Sequence, residues 1–257
     1  MISVGTSGYS YDDWKGPFYP PALRARDYLA HYSGQFDACE INFSYYRMPE
    51  ARTLAGMLER SGGRVTFTIK LTRTITHEPT DDVDAELARF RAALVPWQEA
   101  GVLGAVLAQF PHGFRPRPEG RERLCRILDG LKDVPRVVEF RNRAWIGQDT
   151  FAQLRDQGAA LCCVDEPDLP GLLPRLGVVT AAPGYVRFHG RNQKTWYEHD
   201  QAWQRYDYAY SDDELQSWVP RIQRMAELAD PVFVFFNNHF QAKAVTAARR
   251  LRELLGL

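Results

Sequence analysis

The stretch at residues 137–142, VVEFRN, has the composition of a buried β-strand that ends in charged residues. Because side chains alternate between the two faces of a strand, Val137, Glu139 and Arg141 share one face. A carboxylate and a guanidinium on one face of so apolar a run need polar surroundings. We therefore expect this strand to end at a polar pocket, as the strands of an α/β barrel enzyme do at their carboxyl ends.

Seven other short apolar runs share the length of this one and its content of β-branched and aromatic residues. In chain order the eight predicted strands are ISVGT, ACEINF, VTFTIKL, LGAVLAQF, RVVEFR, AALCCVD, YVRFHG and VFVFFNN. Helical patterns lie between or after them at residues 25–36, 49–63, 84–101, 120–132, 149–158, 211–229 and 241–257. This alternation predicts parallel strands with crossover helices and favours a closed (β/α)8 barrel, the TIM barrel. A doubly wound open sheet is the alternative, although no G-x-G-x-x-G follows a strand.

Two proline-containing segments should depart from the regular pattern. The interval 166–184 after the sixth strand holds four prolines, so we expect irregular structure in place of a long helix. Pro220 falls inside the pattern at 211–229 and should kink or split that helix.

Size and composition indicate an ordinary globular protein. The 257 residues are 45% hydrophobic and 25% charged, which suits one TIM-barrel domain over residues 1–257. Lysine plus arginine equals aspartate plus glutamate at 32 each, so no net field attracts nucleic acid or a membrane. The sequence shows no signal-peptide pattern and no apolar run long enough for a membrane helix, and its four cysteines lack C-x-x-C spacing. We expect a cytoplasmic protein without a membrane partner.

Polar residues gather at the carboxyl ends of the predicted strands. They are Thr6, Glu40, Asn42, Lys70, Gln109, Glu139, Arg141, Asp165, Arg187, His189, Asn237 and Asn238. Since parallel strands of a barrel end at one rim, these side chains should line a single pocket at the C-terminal face. The alternative is that they are ion pairs satisfied inside the barrel, without a functional role.

Seven motifs along nearly the whole chain are similar to those of one family. GTSGYSYDDWKGPFYP, EINFSYYRMP, RTITH, LAQFP, VEFRN, YVRFHG and VFFNNH occur in this order. Together they resemble the YecE-like family, also called domain of unknown function 72. The resemblance implies a TIM barrel, in agreement with the strand pattern, and implies no established activity. Its members are likened to xylose-isomerase-like and endonuclease IV-like barrels in fold alone.

Cations at the strand ends predict an anion site. Lys70, Arg73, Arg141, Arg187, Arg191 and Lys194 all fall at or just after predicted strand ends. Arginine offers a two-pronged fork to phosphate or carboxylate, and lysine offers a compact charge. TIM barrels often bind phosphate near strands seven and eight, where RFHGRNQK lies. The alternative is that neighbouring carboxylates neutralise these cations.

Titratable groups in the same pocket predict acid–base chemistry. Glu139 is the expected acid–base group, with His189 as its partner and Glu40 as a second carboxylate on another strand. A suitable separation of Glu40 and Glu139 would instead indicate a glycosidase. Together with Asp165 and His189 they could hold Mg²⁺ or Mn²⁺. The histidines lack metal-binding spacing, so we predict no cofactor and keep a divalent metal as a lesser alternative.

Aromatic loops follow strands one, two and seven. GYSYDDWKGPFYP, SYYRMP and TWYEHDQAWQRYDYAY hold many of the Tyr and Trp residues, and Trp14, Trp196 and Tyr197 are the candidates for stacking on a base or a sugar. The alternative is that they close the loops' own small cores. Asn42, Gln109, Asn237 and Asn238 could bind the polar edges of a substrate.

These features predict a hydrolase-like enzyme that acts on a phosphorylated or nucleotide-like substrate. Lys70, Arg141 and Arg187 would bind the anion. One alternative is a non-catalytic module that binds a metabolite or single-stranded nucleic acid at the same rim. A further alternative is a sugar-acting isomerase or glycosidase.

Overall fold

The computed structural model describes residues 1–78 and 82–257. Eight parallel strands form a closed barrel in chain order. They are β1 (Ile2–Ser7), β2 (Ala38–Ile41), β3 (Thr66–Lys70), β4 (Leu103–Gln109), β5 (Arg136–Glu139), β6 (Ala160–Asp165), β7 (Gly184–Phe188) and β8 (Val232–Phe236). The first strand pairs with both the second and the eighth, which closes the cylinder. All eight predicted strands and the TIM barrel are confirmed.

Helices surround the barrel. They are α1 (Tyr28–Tyr32), α2 (Ala51–Ser61), α3 (Arg73–Thr76), α4 (Val83–Glu99), α5 (Pro118–Asp129), α6 (Gln148–Asp156), α7 (Ala202–Arg205), α8 (Asp212–Gln216), α9 (Val219–Leu228) and α10 (Lys243–Leu255). The helix predicted at 25–36 is much shorter, because a 3-10 turn at Ala25–Asp27 precedes α1 and the chain leaves the helix at Ser33 and Gly34, which are poor helix formers.

Both proline predictions are confirmed. Residues 166–183 contain no helix between β6 and β7. Pro220 lies in the first turn of α9, and the predicted helix is split there into α8 and α9. The first turn tolerates proline because its missing N–H group would have no partner inside the helix.

The lower part of the barrel interior is packed with apolar side chains. The five residues of β8 are all buried. The ring of Phe233 crosses the barrel toward β4, where a Cβ atom on Gly104 would lie 2.7 Å from the Phe233 Cζ atom. Gly104 therefore makes room for this ring. Outside the barrel, the stacked pair Phe67–Trp97 packs β3 against α4, with ring centroids 4.5 Å apart.

No helix in residues 1–78 and 82–257 has the length and apolar character that crossing a membrane requires.

Candidate functional site

A cavity of about 450 Å³ opens at the carboxyl ends of the strands. Six of the predicted site residues line it: Asn42, Lys70, Gln109, Arg141, Arg187 and Asn237. The other lining residues come mainly from the aromatic loops and are Gly8, Tyr9, Ser10, Tyr11, Ile41, Phe43, Tyr45, Tyr46, Tyr206 and His239. The polar strand ends thus converge at one rim of the barrel.

An ion network lies directly beneath the cavity. Arg187 donates from Nη1 to Glu139 Oε2 at 2.5 Å and from Nη2 to Glu40 Oε1 at 2.6 Å. Arg141 Nε lies 2.6 Å from Glu139 Oε1. Both carboxylates are fully buried, whereas the Arg141 side chain is 13% exposed. The two arginines therefore present positive charge to the cavity, and the balancing carboxylates lie behind them.

The network fixes the ionisation of Glu139. Burial alone would raise the pKa of this carboxyl group, but the charges of Arg141 and Arg187 outweigh burial and hold the pKa well below its ordinary value. Glu40 also accepts a hydrogen bond from the Tyr185 hydroxyl at 2.7 Å, and that hydroxyl lies 2.8 Å from Thr68 Oγ1. Glu40 is thereby anchored to β3 and β7 as well as to Arg187.

His189 is a buried, neutral member of the same network. Its Nε2 atom lies 3.2 Å from Glu139 Oε1, and its Nδ1 atom lies 3.2 Å from Asn237 Nδ2. Burial, followed by the charge of Arg141, lowers the pKa of His189 to about 3. The ring is fully buried and does not line the cavity.

Lys70 differs from the two arginines because it has no carboxylate partner in the described residues. Its Nζ atom donates to Gln109 Oε1 at 2.6 Å and lies 4.1 Å from the centre of the Tyr45 ring. Burial, followed by the charge of Arg187, lowers the pKa of Lys70 to about 7. Near neutral pH this amine therefore exists in both its charged and its uncharged form.

A second buried carboxyl group contacts Arg141 from the irregular segment after β6. Glu166 Oε2 lies 3.5 Å from Arg141 Nη1, and Glu166 Oε1 accepts a hydrogen bond from the backbone N–H of Leu173 at 2.8 Å. Burial raises the pKa of Glu166 to about 7, although the charge of Arg141 opposes the increase. Glu166 was not predicted, but it directly follows the predicted Asp165.

Asp165 lies outside the cavity in a separate cluster. It accepts hydrogen bonds from Arg191 Nη2 at 2.6 Å, Trp218 Nε1 at 2.7 Å and the Tyr210 hydroxyl at 2.9 Å. Arg191 also contacts Glu214 at 3.1 Å. This cluster ties the segment after β7 to the barrel, so Asp165 and Arg191 are engaged with each other and do not face the cavity.

Five more predicted residues have positions outside the cavity lining. Trp14 is fully buried and donates from Nε1 to the backbone oxygen of His239 at 2.7 Å. Trp196 is 3% exposed and packs against Arg205, whereas Tyr197 is 57% exposed. Asn238 is buried and donates to the backbone oxygen of Tyr208 at 2.8 Å. The exposed Lys194 likewise does not line the cavity.

Arg73 is an exposed member of the predicted anion set. It forms an ion pair with Glu78, which is exposed as well. The pair lies at the surface and, like the residues above, is not part of the cavity lining.

The aromatic loops do line the cavity, but with tyrosines other than the residues predicted to stack on a substrate. Tyr9 and Tyr11 come from the loop after β1, Tyr45 and Tyr46 from the loop after β2, and Tyr206 from the loop after β7. His239 was also missed. It lies two residues after Asn237, the same i, i+2 spacing that identified other strand ends, so this signal was present in the sequence.

The four side chains considered as metal ligands do not form a joint site. Arg187 bridges Glu40 and Glu139, and Asp165 is bonded to Arg191. Within residues 1–78 and 82–257, no group of three or more His, Cys, Asp or Glu side chains is placed to hold a metal ion.

Comparison with known proteins gives the family. The family described as "Protein of unknown function DUF72" matches residues 3–257. The chain belongs to this family. It is 29% identical over 272 residues to the UPF0759 protein YunF of Bacillus subtilis, covering all of this chain and 95% of YunF. The name of the YecE-like family, inferred from the motifs, fits this membership.

Two crystal structures of DUF72 proteins share the fold over the whole chain. The protein from Thermotoga maritima is 33% identical, with a TM-score of 0.90 and complete coverage of both chains. A structure from Enterococcus faecalis is 25% identical, with a TM-score of 0.87 and coverage of 100% of this chain and 96% of the other. Both agree with the TIM barrel described above.

Proposed function

We propose that this DUF72 protein is an enzyme that binds a small phosphorylated or nucleotide-like substrate in the cavity and hydrolyses it, with Lys70 as the acid–base group. The observation that carries the proposal is the placement of charge. Lys70, Arg141 and Arg187 line the cavity, while the carboxylates of Glu40 and Glu139 are fully buried behind them. A ligand in the cavity therefore meets cations first.

Arg141 is the best placed of the three cations to bind an anion. Its Nε and Nη1 atoms contact Glu139 and Glu166, while Nη2 has no hydrogen-bond partner in the described residues. A guanidinium held in place by two carboxylates is already oriented for a phosphate oxygen. Arg187 sits deeper, at 2% exposure, and adds charge more than direct contact.

Lys70 supplies the group that can move a proton near neutral pH. In its uncharged form the amine takes a proton from water as the water oxygen bonds to the phosphorus of the substrate. The arginines stabilise the negative charge that develops on the phosphoryl oxygens. The protonated amine then returns the proton to the leaving oxygen as the bond to phosphorus breaks. We therefore assign proton transfer to Lys70 in place of Glu139 and His189.

The size and walls of the cavity fit the same substrate class. A volume of about 450 Å³ lies within the range of roughly 300–1,000 Å³ typical of small-molecule sites. Tyr45, Tyr46 and Tyr206 provide aromatic surface for a base or a sugar. A glycosidase gains no support from the carboxylate pair, because Arg187 bonds both Glu40 and Glu139 and neither faces the cavity.

The test is a screen of purified protein against phosphomonoesters, nucleotides and glycosides, with Lys70→Met and Lys132→Met as variants. Lys132 is exposed and precedes β5, at the opposite end of the barrel. We expect turnover of a phosphorylated compound that Lys70→Met abolishes and Lys132→Met leaves unchanged. Tight binding of such a compound without turnover would instead establish a binding module. Turnover of glycosides alone would contradict the proposed substrate class.

A further inference from the structure

The cavity has two chemically different sides. Lys70, Arg141 and Arg187 come from the ends of β3, β5 and β7 and make one side cationic. The side formed after β8 and β1 carries His239 and Tyr11, with no net charge of its own. A substrate that fills the cavity therefore meets charge on one side and an uncharged aromatic wall on the other.

The position of His239 is fixed by contacts to its ring and its backbone. Its imidazole stacks on Tyr11, with ring centroids 4.5 Å apart and planes inclined by 4°. Its backbone oxygen accepts the hydrogen bond from Trp14 Nε1, and the Gln241 N–H group donates to Asp13 Oδ2 at 2.6 Å. The loop after β1 and the turn after β8 thus hold each other in place.

The backbone after His239 is strained. Gln241 and Ala242 adopt φ angles of 52° and 59°, in the left-handed region that residues with a Cβ atom rarely occupy. Strain of this kind persists where surrounding contacts enforce it, and it concentrates at ligand sites.

The imidazole offers one of its nitrogens to a ligand. Nε2 makes no hydrogen bond within the described residues, whereas Nδ1 also has no partner there but is itself buried. Tyr11 covers one face, and the ring of Tyr206 lies 6.3 Å away at 40°, so it does not stack on the other face. Burial lowers the pKa of His239, which keeps the ring neutral near pH 7. A neutral imidazole both donates and accepts a hydrogen bond.

We propose that His239, supported by Tyr11, is a specificity-determining residue that binds the uncharged half of the substrate, a hydroxylated or heteroaromatic ring such as a ribose or a nucleobase. The inference rests on the proposed function, in which Lys70 and Arg141 bind the phosphate. A neutral ring lacks the positive charge that favours a phosphate, while a nitrogen that can donate or accept suits hydroxyl and amide groups. The two sides of the cavity would then select a nucleotide over inorganic phosphate.

The experiment compares adenosine 5′-monophosphate and inorganic phosphate as probes on the whole protein. In protein labelled with ¹⁵N-histidine, we expect the nucleotide to shift the His239 signal, assigned by substitution, and phosphate to leave it unchanged. His239→Phe keeps a ring on Tyr11 and removes both nitrogens. We expect it to weaken nucleotide binding by about tenfold, the equivalent of one hydrogen bond, with phosphate binding unchanged. His199→Phe, outside the cavity lining, is the matched control.

The outcomes separate this inference from the proposed function. Failure of both probes to bind the unaltered protein would overturn the proposed function and the inference with it. Binding of phosphate as tightly as the nucleotide, or an unchanged nucleotide affinity in His239→Phe, would overturn the inference alone. Equal weakening of both probes would also overturn it, because His239 would then act on the anion site. Should His239→Phe fail to fold, substitution of each of the other five histidines assigns the His239 signal by elimination, and its response in the unaltered protein decides.

Discussion

At the scale of single residues, the three cations of the cavity differ in whether they can lose a proton near neutral pH. Arginine keeps its charge at any ordinary pH, so Arg141 and Arg187 serve as fixed positive charges. Lysine loses its proton readily when buried, and Lys70 lies among those charges with a pKa near 7. The same pocket can therefore bind an anion through its arginines and accept a proton through Lys70.

The pKa of Lys70 predicts a pH profile. The uncharged amine is the active form of the proposed base, so kcat/KM should rise with pH and level off above about pH 7. Lys70→Arg preserves the positive charge but cannot deprotonate, and we expect it to lose about 100-fold or more in kcat/KM. Steady-state rates from pH 5.5 to 9 measure both effects. A flat profile, or a fully active Lys70→Arg variant, would contradict the assignment.

The buried ion network predicts a large loss of stability on removal of Glu139. Glu139→Gln leaves Arg141 and Arg187 without one of their balancing charges, and removing one partner of a buried pair typically costs about 3–5 kcal/mol. Chemical denaturation of the variant measures this change in the free energy of unfolding. Glu78→Gln, which breaks the exposed pair with Arg73, is the control and should leave the stability unchanged. Equal stabilities for the two variants would show that Glu139 does not stabilise the buried charges of Arg141 and Arg187.

Sequence alone identified the residues of the cavity floor but not their roles. The i, i+2 spacing of Glu139 and Arg141 correctly indicated a polar strand end. It could not show that these two side chains form one network with Arg187 and Glu40, because that depends on contacts among β2, β5 and β7. For the same reason, Lys70 could not be recognised as the member of the three cavity cations that has no carboxylate partner in the described residues. Trp14 follows the alternative given for it, because it is buried in the packing of its own loop and does not line the cavity.

At the scale of elements, the turn between β8 and α10 has a strained backbone and contributes His239 to the cavity lining. Gln241 has an exposed side chain and a left-handed backbone, so Gln241→Gly should relieve the steric cost without removing buried contacts. We expect about 1 kcal/mol of added stability in thermal or chemical unfolding. Gln241→Ala keeps the Cβ atom and should give no such gain. A glycine variant no more stable than the alanine variant would argue against strain in this turn.

The cluster around Asp165 should hold the backbone of the segment after β7 in its folded position. Asp165→Asn removes the charge that three donors share, and we expect the backbone at residues 190–211 to open more often, by about tenfold or more. Hydrogen exchange followed by mass spectrometry measures this directly. Asp168→Asn, at an exposed position of the segment after β6, is the control. Unchanged exchange in the Asp165 variant would mean that other contacts hold this segment.

The elements themselves were largely predictable. Strands buried on both faces form near-continuous apolar runs, so all eight were visible in the sequence. Pro220 marked the break between α8 and α9 for a local reason, its missing N–H group. The helix pattern at 25–36 misled because it continued through Ser33 and Gly34, two poor helix formers at which the chain leaves α1.

At the scale of the whole molecule, the apolar residues that stabilise the barrel and the residues of the candidate site lie in different parts of its interior. Apolar rings such as Phe233 pack the lower interior, while the charged network and the cavity occupy the carboxyl-end rim. This division follows from the closed parallel topology, which brings eight strand ends to one rim. The rim was predictable because it depends on strand order alone. The selection of a substrate depends on loops from distant parts of the chain, and no sequence pattern specifies how those loops meet.

The central claim, that the cavity binds a phosphorylated substrate through its cations, is tested most directly by crystallography. Crystals grown with adenosine 5′-monophosphate should show its phosphate within hydrogen-bond distance of Lys70 Nζ and Arg141 Nη2, and Lys70→Met together with Arg141→Gln should remove it. An empty cavity at saturating nucleotide, or a nucleotide bound with its phosphate turned away from both residues, would contradict the account.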